Sequence, residues 1–158
     1  MKDLPLGAFI SMIYRSHFVR INHRMKELGL SAGQFFVLMV LSEEQGITQD
    51  YLAGIFLIDK GSIARAVNVL EQKGIVRRIT DESNRRAVRL YLTEAGEKLI
   101  PEVVKIDKEW EEAAFSGLLQ EERKQAMTLL RRISENSYEA AYENGDKKWK
   151  VFPGKDLQ

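Results

Sequence analysis

Apolar residues recur every three or four positions through most of this chain, and every second position in one short central stretch. Phe9, Ile10, Ile13, Tyr14, Phe18, Ile21, Met25 and Leu28 share one face of a predicted helix over residues 7–28, which Gly29 ends as a left-handed cap. Ser31 with Gln34 forms a capping-box pattern that opens a second helix, with Phe35, Leu38, Met39 and Leu41 inward and Gly46 at its exit. Thr48 is a suitable N-cap for a third helix that turns Leu52, Ile55 and Phe56 inward. Asp59 caps a fourth, whose stripe is Ile63, Val67 and Leu70; Lys60, Ala64, Arg65 and Asn68 lie off that stripe, and Gly74 closes it. The period then changes. Val88, Leu90 and Leu92 alternate with Arg89 and Tyr91, as in a half-buried strand, with residues 75–80 as antiparallel partner and a polar tip at 81–86. Thr93 caps a fifth helix reaching Gly117, which Pro101 is expected to kink or restart. A sixth runs from about Glu121 to Tyr142, with Met127, Leu130, Ile133 and Tyr138 on its apolar side. Beyond it lies a tail that carries Trp149 and Phe152.

Helix, turn, helix and basic hairpin, in that order, are the layout of a winged helix-turn-helix. The expected fold is mainly α (α+β), a single domain over residues 1–158 with the winged-helix head at 31–92. Residues 1–30 and 93–145 supply long flanking helices, and 146–158 the tail. Such a head presents one helix to a DNA major groove and a cationic loop to the groove beside it. The flanking helices carry more apolar surface than a small head needs. A twofold homodimer buries that surplus most simply.

Charge sharpens this picture. The net charge of +1 says nothing about nucleic acid, but its distribution does. Residues 60–91 hold eight basic and three acidic side chains, a net +5. Residues 94–146 hold thirteen acidic and seven basic ones, a net −6. A polyanion should therefore meet only the middle of the chain. No apolar run approaches the roughly 20 residues needed to span a bilayer, and no secretion signal is visible, so a cytoplasmic protein is expected. With no cysteine, thiolate catalysis, disulfides and thiol sensing are excluded. The two histidines, His17 and His23, are six apart and off a common helical face, so no metal site is expected. No phosphate-cradling glycine loop and no serine–histidine motif points to an enzyme.

On the DNA reading, phosphates supply affinity and base edges supply specificity. Arg65, on the exposed face of the fourth helix, is suited to a bidentate guanine contact. Ser62 sits near the helix N-terminus, where hydroxyl and backbone donors suit phosphate or base edges. Lys60, Ala64 and Asn68 share that neighbourhood. Arg86 at the wing tip suits a narrow minor groove; Arg85 and Arg89 suit phosphate. Arg77 and Arg78 read as strand-edge charges rather than base readers.

These residues resemble the MarR (multiple antibiotic resistance regulator) family of winged-helix transcription factors. The resemblance is carried by the run from Ile58, Asp59, Lys60, Gly61 and Ser62 through Arg65 to Glu71, Lys73 and Gly74, and by the wing that leads into Leu92, Thr93, Glu94, Ala95 and Gly96. The family's wing pattern, Asp-x-Arg followed by an apolar residue and Leu-Thr, reads here Asn84, Arg85, Arg86, Leu90, Leu92 and Thr93. Asn84 stands where the family usually has aspartate, and Leu119 where a capping Ser or Thr often opens the last helix. The resemblance implies a homodimer on a pseudo-palindromic operator, usually a repressor, without a cofactor. It also implies release by a small aromatic anion such as salicylate, held between the dimerisation and DNA-binding parts. Tyr14, Arg15, His17 and Arg20 on the first helix could supply the polar side of such a site, with Arg15 as the carboxylate partner. The rival class is a winged-helix protein-interaction module without a ligand response, against which the basic tip and Arg65 speak.

Overall fold

Local capping chemistry sets where most of the helices begin. In the computed structural model, which describes residues 4–81 and 87–141, the elements are α1 (Leu6–Glu27), α2 (Ala32–Glu43), β1 (Ile47–Thr48), α3 (Gln49–Phe56), α4 (Lys60–Gln72), β2 (Val76–Thr80), β3 (Val88–Leu92), α5 (Glu94–Ala114) and α6 (Gln120–Ala141). The Ser31–Gln34 box is formed, with Gln34 Oε1 accepting from Ser31 N and from Ser31 Oγ, each at 2.7 Å. Thr48 Oγ1 accepts from Tyr51 N at 3.2 Å, Asp59 Oδ1 from Ser62 N at 2.8 Å, and Thr93 Oγ1 from Gly96 N at 3.1 Å. Each bond satisfies one backbone donor that a helix start leaves open.

The turn between α3 and α4 is made by an unexpected residue. Leu57 adopts φ +52°, a left-handed conformation costly for a side chain with a Cβ, and its N–H donates to Ala53 O. Leu57 itself is exposed.

The three strands form an antiparallel sheet in the order β1-β3-β2, with Val76 opposite Leu92 and Thr80 opposite Val88. β1 has only two residues and pairs Ile47 with Leu90. The alternation expected of β3 holds for Leu90 and Leu92, which are buried, and fails for Val88, which is exposed. Val88 pairs at the wing end of the hairpin, beyond the helices that cover Leu90. α5 runs unbroken through Pro101, which is exposed, so the expected restart is absent.

The core is built around α2, which packs on α1, α4 and α5. Phe35, Val37, Leu38, Val40 and Leu41 are all buried there, whereas Met39 is half-buried. Burying each large apolar side chain contributes about 2 kcal/mol. Ile63, Ala66, Val67 and Leu70 seat α4 on this core.

The long helices are different. On α1 only Ile21 and Met25 are buried; Phe9, Ile10, Ile13, Tyr14 and Phe18 are exposed. On α6 only Tyr138 is buried, with Met127 and Ile133 half-buried and Leu129 and Leu130 exposed. Tyr142, Trp149 and Phe152 lie outside the described residues, as do Asn84, Arg85 and Arg86 of the wing.

Candidate nucleic-acid interface

The apolar stripe that seats α4 determines which residues it turns outward. At about 100° per residue, the row opposite Ile63, Ala66, Val67 and Leu70 is Gly61, Arg65, Asn68 and Gln72. All four are exposed. Lys60 is exposed at the helix start, where its Nζ pairs with Asp50 of α3 at 2.9 Å. Ala64 and Ser62 are half-buried on the flanks.

Arg65 does not wave freely. Ser62 Oγ donates to Asp59 Oδ2 at 2.6 Å and accepts from Arg65 Nη2 at 2.8 Å. Asp59, the N-cap, thus holds Ser62, and Ser62 holds the guanidinium. The Ser62 hydroxyl, then the Ser62 backbone N–H, and less strongly the charge of Arg65, hold the Asp59 carboxyl below its ordinary range. Gly61 lies beneath this chain of bonds. A Cβ there would stand 3.2 Å from Asp59 Oδ1 and 3.5 Å from Arg65 Nη1.

Asn68 is engaged by a residue of β2. Its Oδ1 accepts from Arg78 Nη2 at 2.5 Å, and Arg78 Nη1 donates to Glu71. With its amide oxygen turned to Arg78, Gln49 of α3 accepts from Nη2 and Nε, each at 3.3 Å. Arg78 lies on β2, an edge strand as expected, and its half-buried side chain also links α3, α4 and β2.

At the wing root, Arg89 Nε donates to Asp81 Oδ2 at 2.6 Å and Nη1 to Gly46 O at 2.8 Å. Arg89 therefore braces the hairpin against the α2–β1 loop, and this bracing was not foreseen from the sequence. Arg77 lies over the Tyr91 ring, 5.7 Å from its centroid.

The residues expected to hold an anion do not converge within one chain. His17 faces inward, with its ring 4.2 Å from that of Trp110 on α5 and 6.1 Å from those of Phe35 and Phe36 on α2. Phe36 continues the contact to Phe56 on α3 at 5.1 Å. His17 Nε2 is buried without a hydrogen bond, 3.8 Å from Asp107 Oδ1. Arg15, two residues earlier, lies about 200° around the helix. It is exposed, as are Arg20 and Tyr14, whose ring is 6.2 Å from that of Phe18. Sequence periodicity could not separate these faces because the apolar residues of α1 cover more than one of them. Nothing in the spacing of Trp110 marks it as the partner of His17.

Among the described residues, no three His, Cys, Asp or Glu side chains come together as a metal ion needs, and no helix is long and apolar enough to cross a membrane.

Among the described residues, six helices and a three-stranded wing sheet, with α3 and α4 joined by a tight turn, define a winged helix-turn-helix protein. Residues 30–88 match the sequence profile of the MarR family. The HTH-type transcriptional regulator YybA of Bacillus subtilis (strain 168), itself described as uncharacterized, is 34% identical over 127 residues, 80% of this chain and 85% of that one. The crystal structure of a MarR transcriptional regulator from Methanosarcina mazei Go1 superposes with a TM-score of 0.81 at 38% identity, covering 85% of this chain and 97% of that one. A MarR family transcriptional regulator from Listeria monocytogenes, crystallised with 26mer DNA, superposes at 0.82 with 29% identity, covering 96% and 100%. The chain belongs to the MarR family and is a transcriptional regulator of the winged helix-turn-helix type.

Proposed function

We propose that the protein binds duplex DNA as a homodimer on a pseudo-palindromic operator, acts as a repressor, and is released by a small aromatic anion. The outward row of α4 carries the DNA part of this reading: Arg65 is exposed, cationic and held in place by Ser62. The Listeria relative crystallised with DNA has the same fold. The exposed apolar residues of α1 and α6 support a dimer, because Phe9, Ile10, Ile13, Leu129 and Leu130 are too many to leave in water on a soluble surface. The repressor part of the reading follows the family resemblance alone.

The effector reading rests on the aromatic contacts of His17. Trp110, His17, Phe36 and Phe56 run from α5 through α1 and α2 to α3, which packs on α4. An aromatic anion that enters this row meets apolar rings and His17 Nε2, which makes no hydrogen bond and lies 3.8 Å from the Asp107 carboxylate, and a shift there reaches the reading head through packed side chains.

Sedimentation of the protein with a labelled duplex pool tests the whole reading. The expected result is one dimer per duplex, two half-sites about one helical turn apart, affinity that falls steeply with salt, and dissociation on adding salicylate. Binding without salt dependence removes the DNA reading. Binding unaffected by salicylate and similar anions removes the effector and leaves the rest.

A further inference from the structure

We propose that α4 reads two neighbouring guanines, and that Arg78 decides the second of them by fixing the amide of Asn68. The proposal rests on the DNA reading above and deepens it.

Asn68 is the side chain most often suited to adenine, because its oxygen accepts from N6 while its nitrogen donates to N7. That pairing needs the oxygen to face the base. A guanidinium has only donors, so the atom of Asn68 that meets Arg78 must be the acceptor. Arg78 Nη2 stands 2.5 Å from Asn68 Oδ1. The bond takes one of the two lone pairs of Oδ1 and turns the oxygen to β2, so the two N–H groups of Nδ2 are what the amide turns away from Arg78. Arg78 is itself held by Glu71 and by Gln49, so it is not free to follow Asn68 if the amide turns over.

Arg65, three residues before Asn68 in the same outward row, is likewise donor-only. Its nearest side-chain acceptor, Ser62 Oγ, has its own proton committed to Asp59. Arg65 and Asn68 are separated by about 4.5 Å along the helix axis, more than the roughly 3.4 Å rise of one base step, so they reach different steps. A pair of donors at that spacing meets a matching pair of acceptor edges. Guanine presents two acceptors in the major groove, N7 and O6, whereas adenine and cytosine each place an amino donor there and thymine presents one acceptor beside a methyl group.

Selection of bound duplexes from a randomised pool, with the wild type and four variants, tests this. Asn68→Ala locates the base step that Asn68 reads, as the one whose preference it loses. At that step the wild type is expected to take guanine over adenine by at least about fivefold, beside a guanine whose preference is lost in Arg65→Ala. Arg78→Met frees the amide and is expected to admit adenine there, while the Arg65 guanine is kept. Arg78→Lys still donates and is expected to keep guanine at both steps. A role for Arg78 in stability alone lowers affinity for every sequence and moves no preference. Adenine, thymine, cytosine or no preference at the Asn68 step in the wild type overturns the proposal, whether or not Arg78→Met folds. An unchanged guanine preference in folded Arg78→Met removes Arg78 from it. Enrichment of no duplex by the wild type is a failure of the DNA reading itself, distinct from the others.

Discussion

Two joints fix the long helices, one between the winged head and α5 and one between α1 and α5, and they are built in opposite ways. The joint to α5 is closed by backbone. Thr93 N donates to Ile75 O at 3.0 Å and Thr93 Oγ1 to Gly74 O at 2.5 Å. A Cβ added to Gly96 would lie 2.2 Å from that same Ile75 oxygen. The joint of α1 to α5 is closed by side chains. Arg24 reaches Glu109 at 3.0 Å, Glu27 at 3.3 Å and Glu102 at 3.7 Å, and His17 lies against Trp110. Backbone contact at such distances has one arrangement. Long side chains with several acceptors have more than one, which makes the α1 joint the adjustable one.

Gly96→Ala breaks the comparison most sharply. The added methyl meets a carbonyl oxygen that cannot move without the strand, so a loss of about 2–4 kcal/mol is expected in chemical denaturation. A loss under about 0.5 kcal/mol would mean that the α5 seam yields as readily as the other. Arg24→Ala should cost about 1 kcal/mol, because its partner carboxylates remain partly in water. The same denaturation series measures it, and a cost equal to that of Gly96→Ala would erase the distinction. His17→Phe should leave stability within about 0.5 kcal/mol or raise it, since a buried nitrogen without a partner is replaced by a ring edge. Thermal melting checks the first half. Loss of the salicylate response with duplex binding intact checks that the adjustable joint is the one the effector uses.

The smallest effect concerns pH. Asp59 has a folded carboxyl below its ordinary range, so its support of the start of α4 is present above the unfolded value of about 3.9 and is lost as pH falls through the lower folded value. Asp59→Asn should remove that acid dependence and leave the α5 seam untouched. Following the α4 amides by NMR between neutral and acid pH decides it, and an identical profile in both proteins rules Asp59 out as its source.

What could be read from the sequence was local. Thr48, Asp59, Thr93 and the Ser31–Gln34 box lie within three residues of the donors and acceptors they serve, so their types and spacing were enough. The stripe of Ile63, Val67 and Leu70 likewise placed Arg65 and Asn68 outward. Gly61 and Gln72 are open to the same wheel argument and share that outward row. The remainder depended on chain segments far apart. β1 exists because Ile47 finds Leu90, Arg89 braces the wing because Gly46 O is brought to it from 43 residues away, and Arg78 meets Asn68 only once β2 has folded back beside α4. His17 and Arg15 show the same limit within one helix, since both are polar, two apart, and only tertiary packing decides which turns to Trp110.

The uncovered apolar residues of α1 and α6 have a consequence for the life of the molecule in a cell. If a second copy covers Phe9, Ile13 and Leu130, then dilution uncovers them, and folding stability becomes a function of how many copies are present. Each tenfold fall in protein concentration removes about 1.4 kcal/mol from the assembled state. A newly made, scarce chain is then the one most open to proteolysis, and an abundant one is protected by its own kind. The level of the regulator would set its lifetime as well as its occupancy of DNA.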